Sequence, residues 1–277
     1  MFIGNRIGIP GSGAGARGPR PILIDQTVGV QIAARAYAPI LFDQAIDVDI
    51  VASEGGSDPI TICGANLLQW CRADLGLTIG VGFDWQDQSS GNHDYVNAVA
   101  ASGPSLNATD ATLSNLPTLT FNGTTQGCSS NLQIPAPGTT PTFIWMIVRQ
   151  DAWASNENII SGSGGPVIRQ SNSTPNIRQF NTNLTTENPG APLAAWRRVA
   201  CWFSNSTADY LIARSTNRTG VNAGNSADAS AARHIGRNAG GTTFTGMTIA
   251  EIVYCNADHL AGLDAYGTSR YGSTLFV

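Results

Sequence analysis

The 277-residue chain has no lysine; all fifteen of its basic residues are arginine. Charged side chains of both signs make up only 12% of it, about half the usual share of roughly 25%. With a formal net charge of −4 and an isoelectric point near 5.2, it offers no basic stripe to hold phosphates, which argues against nucleic acid as its partner. Glutamate is also scarce. Glu54, Glu157, Glu187 and Glu251 are its only copies, and no two lie close in sequence. Hydrolysis of a glycosidic bond needs two carboxylates facing it, and this scatter supplies no such pair. The three histidines, His93, His234 and His259, are equally dispersed, so no nucleophile–base arrangement is visible and no enzyme is expected. Five cysteines, Cys63, Cys71, Cys128, Cys201 and Cys255, are odd in number and lack the close pairing of zinc sites. They are read as reduced, mostly buried thiols. The opening Met1-Phe2-Ile3-Gly4-Asn5-Arg6 has no apolar stretch of the signal-peptide kind, and the longest apolar runs are too short to span a bilayer. The expectation is synthesis in a cytoplasm without membrane insertion.

What the chain has in quantity is Gly, at 31 copies, together with Asn, Ser and Thr. These residues take the backbone angles of tight turns, so the composition suits many short strands. Six Asn-x-Thr or Asn-Ser-Thr sequons, at Asn107, Asn122, Asn172, Asn183, Asn205 and Asn217, are by-products of such turns. Residues 1–20 hold six Gly, two Pro and three Arg and cannot build a core. Short strands follow at Pro21–Ile24, Val28–Ile32 and Pro39–Phe42, and Ile46-Asp47-Val48-Asp49-Ile50 alternates as a half-buried strand does. Residues 1–65 are therefore read as an arm with assembly strands, and residues 66–277 as the main domain. There, Thr142–Val148 is an apolar run fit for a central strand. Trp196–Phe203 pairs with Tyr210–Ala213 across Asn205-Ser206-Thr207, and His234–Arg237 pairs with Phe244–Tyr254 through Gly240-Gly241. Only Asp258–Ser269 reads as a helix, with Leu260, Leu263 and Tyr266 on one face.

Three segments carry a resemblance: Leu68-Gln69-Trp70-Cys71-Arg72-Ala73-Asp74 with Phe83-Asp84-Trp85 through Asn92, then Leu116-Pro117-Thr118-Leu119-Thr120-Phe121-Asn122-Gly123, then Phe244–Tyr254 with Tyr266–Gly272. Together, over about residues 66–277, they resemble the laminin-G-like, concanavalin-type domains of bacteriophage tail, fibre and other virion surface proteins. The resemblance implies an all-β, concanavalin-like jelly-roll sandwich of two antiparallel sheets with one short C-terminal helix.

Trp70 and Trp85 are read as sandwich core. Asp84, Asp87 and Asn92 cluster near a turn, and some relatives of the fold bind calcium in nearby loops, so these three are the candidate calcium ligands. The competing reading is that they build the turn by bonding their own backbone. No other cofactor is expected. Trp153, Asn156 and Asn158, in the polar stretch after the strongest strand, are the candidate glycan ligands, because aromatic faces stack on sugar rings and amides bond hydroxyls. The resemblance, the arm and the low charge lead to the expectation of a phage virion structural protein: a capsid decoration, a head or tail fibre, or a tail adhesion component. Its arm would hold it to other capsid or tail proteins. It would be a homo-oligomer, a trimer by the resemblance, with a host surface glycan as a further partner. Two alternatives stand beside this: a free carbohydrate-binding lectin module, and a polysaccharide-cleaving enzyme with an unrecognised site.

Overall fold

The structure, a computed structural model, describes residues 57–152, 157–162, 164–171, 176–181, 184–187, 195–213, 216–219, 222–225 and 232–276. The arm, the strands read at 21–50, and both Trp153 and Asn156 lie outside the described residues. Seventeen strands, numbered along the chain, form two sheets among the described residues, and every pairing is antiparallel. In the first sheet the order is β15 (Thr216–Thr219), β14 (Tyr210–Ala213), β13 (Trp196–Phe203), β8 (Thr142–Gln150), β17 (Gly246–Cys255), β6 (Leu116–Asn122) and β5 (Ser105–Asp110). Here β1 (Leu67–Arg72) also pairs with β17, beside its C-terminal half. In the second sheet the order is β12 (Leu184–Glu187), β11 (Asn176–Phe180), β10 (Val167–Ser171), β9 (Asn158–Ser161), β16 (Arg233–Ile235), β7 (Cys128–Ser130), β4 (Tyr95–Asn97), β3 (Phe83–Trp85) and β2 (Leu77–Ile79). The expected β-sandwich is present.

The continuous apolar run of β8 follows from its position. Ile144, Met146 and Val148 belong to the core between the sheets, with Trp85, Tyr95, Phe121, Ile168 and Ile235. Phe143, Trp145 and Ile147 face the other way, into a second core with Leu263, Tyr266 and Tyr271 of helix α2 (Leu260–Tyr271). A strand covered on both faces has no use for polar alternation. Trp145 Nε1 donates to Asp264 Oδ1 at 3.0 Å and Arg198 of β13 pairs with the same carboxylate at 2.9 Å, so the helix is pinned as well as packed. Trp70 and Trp85 are buried as expected.

Three local expectations change. His234 and Phe244–Tyr254 do not form a hairpin: β16 and β17 enter opposite sheets, and only the isolated bridge Arg237–Phe244 joins their connection. Gly236, at φ 74°, lets the chain leave the second sheet at that point. A five-residue helix, α1 (Pro59–Cys63), lies in the stretch assigned to the arm, with Asp58 accepting from Thr61 N at 2.8 Å and Pro59 at its start. That helix carries Cys63 to Cys255 at the end of β17, 192 residues away, and the two form a disulfide. The expectation of five reduced thiols is thereby corrected. Cys71, Cys128 and Cys201 remain free and buried, and burial pushes their thiols up, as befits inert core residues.

Candidate functional site

Of the candidate calcium ligands, Asp87 lies in a loop whose own groups saturate its carboxylate. Asp87 Oδ1 accepts from the amides of Trp70 (2.9 Å) and Ser89 (2.8 Å). Its Oδ2 accepts from Ser89 Oγ (2.7 Å) and the His93 amide (2.9 Å). Asp94 Oδ1 in turn accepts from the Asp87 amide at 2.8 Å. The loop is thus folded around Asp87 and tied to β1, with Asn92 supplying its positive φ of 55°. Asp84 sits apart on β3 between core residues Phe83 and Trp85, and burial and then Asp94 push its carboxyl up. Among the described residues no three His, Cys, Asp or Glu side chains converge as metal ligands would. This arrangement makes Asp87 the builder of the turn. Asp87→Ala should lower stability by roughly 2–3 kcal/mol through its lost charge-assisted bonds. Thermal melting with calcium and with a chelator should show equal losses; a loss confined to calcium-containing buffer would restore the metal role.

A second arrangement of polar side chains lies on the second sheet. β10 and β11 carry the same tripeptide, Ile168-Arg169-Gln170 and Ile177-Arg178-Gln179, and their antiparallel register sets Arg169 directly opposite Arg178. Ile168 and Ile177 point into the core between the sheets, so the arginines between them and their glutamines point to the other face. On the far side of β10, Arg169 pairs in register with Asn158 of β9. Asn158, Arg169 and Arg178 therefore form a row across three strands, all three half-buried. The Arg169 guanidinium lies 5.1 Å from the ring centroid of Phe180, which holds it by cation–π attraction. Of the glycan ligands named from sequence, Asn158 falls in this row and the other two lie outside the described residues. The arginines were missed, although the repeated Ile-Arg-Gln was legible as two alternating strands.

A third cluster is structural. Glu251, wholly buried on β17, accepts from Trp70 Nε1 (2.5 Å), Tyr271 Oη (2.6 Å) and Tyr266 Oη (2.9 Å). It joins β1, β17 and α2. An open cleft of about 440 Å³ lies nearby, lined by Asp74, Thr78, Gln86 and Leu106 among others, but Asp74 is held there by Arg72 and Arg270.

No protein-family model matches the chain, and no curated protein matches it. Solved structures do match its fold. A Trypanosoma rangeli sialidase in complex with sialic acid gives a TM-score of 0.51 at 12% identity, over 78% of this chain and 34% of the sialidase. The receptor binding domain of a botulinum neurotoxin C/D mosaic serotype gives 0.52 at 8% identity, over 74% of this chain and 51% of its own. The ligand binding domain of serotype D, in complex with N-acetylneuraminic acid, gives 0.51 at 9% identity, over 74% and 50%. This chain thus spans about a third of the sialidase and about half of each toxin domain. At such identities the likeness is one of fold.

The expectation that the chain is not an enzyme is overturned by the first of these matches. A sialidase shares the fold over most of this chain, so the lack of neighbouring Glu residues no longer decides against catalysis. Carboxylates far apart in sequence are brought onto common faces by strand pairing, which spacing along the chain does not reveal. None of the structures named is a phage protein or a laminin-G domain, and the expected virion role gains no support from them.

Proposed function

We propose that this chain is a carbohydrate-binding β-sandwich module. The observation that carries the reading is the row Asn158, Arg169 and Arg178, three planar polar groups set side by side across adjacent strands. Vicinal hydroxyls of a sugar ring accept from guanidinium N–H groups and exchange hydrogen bonds in both directions with an amide. Strands place such groups more rigidly than loops do, which lowers the entropy lost on binding. The reading is supported by fold: the sialidase was solved in complex with sialic acid and the serotype D toxin domain in complex with N-acetylneuraminic acid. The test is binding of the purified chain to an oligosaccharide array, followed by calorimetry on the best ligand. Asn158→Ala should weaken that ligand about three- to tenfold, the worth of one hydrogen bond. Failure to bind any glycan on the array would overturn the proposal.

A further inference from the structure

The two arginines of the row differ from those that form the domain's ion pairs. Arg72, Arg149, Arg198 and Arg270 each pair with a carboxylate at 2.5–3.2 Å. Arg169 and Arg178 form no ion pair among the described residues, and the Nε of each is buried without a hydrogen-bond partner. Instead they face each other. Residues directly opposite in an antiparallel pair have Cβ atoms about 4.5–5.5 Å apart, and like charges there repel. Burial, then Arg178, lowers the Arg169 guanidinium from its ordinary value, and no carboxylate acts against them. Even so, arginine keeps its charge. Two guanidinium groups are thus held side by side, one of them braced against Phe180, with donors to spare and no counter-charge from the described residues.

We propose that the Arg169–Arg178 pair is an anion site, and that the glycan it selects is acidic, carrying a carboxylate or a sulfate ester. The site rests on the carbohydrate-binding reading and names its ligand class. An anionic group bridging the two guanidinium planes would accept paired N–H bonds from each and cancel their repulsion. The fork of arginine donors matches the oxygens of a carboxylate or sulfate, whereas a neutral hydroxyl supplies no charge. Because the two residues oppose each other without a carboxylate from the described residues between them, removing one charge should leave the free protein about as stable as before, the relieved repulsion offsetting the lost contact with Phe180.

The test uses the full chain on oligosaccharides presented in matched neutral, carboxylated and sulfated forms. The wild-type protein should prefer an acidic form over its neutral counterpart by about tenfold or more, with the preference fading as salt rises. Arg169→Gln and Arg178→Gln should each abolish most of that preference. Binding to the neutral form should also weaken, because its hydroxyls accept from the same guanidinium groups, but by a smaller factor than binding to the acidic form, and the melting temperature should not fall. Preference for the carboxylated form identifies an acidic sugar, and preference for the sulfated form a sulfate ester. Equal binding of neutral and acidic forms would overturn the anion site and leave the glycan reading standing. A preference that survives both substitutions would place acid recognition elsewhere and equally overturn it. If no form binds, both readings fall together. Should Arg169→Gln unfold, Arg178→Gln, alone and at two salt concentrations, decides the same question.

Discussion

Replacing Glu251 by leucine should destabilise the protein by about 3–5 kcal/mol, the range found when one member of a buried polar network is deleted. The carboxylate is fully buried and takes hydrogen bonds from Trp70 on β1 and from Tyr266 and Tyr271 on α2. Leucine would leave three donors buried without partners and cut the polar link between strand, strand and helix. Glutamine should cost much less, because its amide oxygen still accepts and its shape is retained. The same residue sets a pH dependence. Burial pushes the Glu251 carboxyl up, against the opposing effect of the Tyr271 and Trp70 hydrogen bonds and of Arg72 and Arg270. A folded-state value above the unfolded one, near 4.5, means that the folded chain holds the proton more tightly. This group's contribution to stability is then complete below pH 4.5 and is lost as pH rises through the folded value. Glu251→Gln should remove that loss. Denaturant unfolding of the wild type, the Gln and the Leu variants at several pH values above 4 is the measurement. Parallel pH curves for wild type and Gln variant would show that Glu251 does not titrate in this window.

Breaking the Cys63–Cys255 bridge should have an effect of similar size, on the order of 5 kcal/mol if chain entropy dominates, because its loop closes nearly the whole described domain. The bond ties α1 to the end of the central strand β17, which is hydrogen-bonded to β1, β6 and β8. Unfolding in reductant, or of a Cys63→Ala/Cys255→Ala protein, should therefore come at markedly lower denaturant than unfolding of the oxidised chain. Thiol titration of denatured, non-reduced protein should find the three free cysteines, and five after reduction. Five thiols before reduction would show the bridge unformed. A truncated chain beginning near Asn66 loses both Cys63 and the capped helix, so it should behave like the reduced protein rather than like an intact domain.

The sequence by itself determined the local parts. The strand of nine residues through Trp145, the Trp196–Phe203 and Tyr210–Ala213 pair with Asn205 at φ 57°, the buried Trp70 and Trp85, and the C-terminal helix were all legible. Each is written in neighbours: a periodicity of two or three to four, or a turn residue between two runs. Tertiary structure alone decided which strands meet. The fork that sends β16 and β17 to different sheets, the bond between cysteines 192 residues apart, and the gathering of Trp70, Tyr266 and Tyr271 on Glu251 depend on pairings between distant segments. The arginine row lies between these extremes. Alternation in each Ile-Arg-Gln strand is local, but only the antiparallel register of β10 on β11 sets Arg169 against Arg178, since a shift of one residue would put an inward glutamine or isoleucine opposite each arginine.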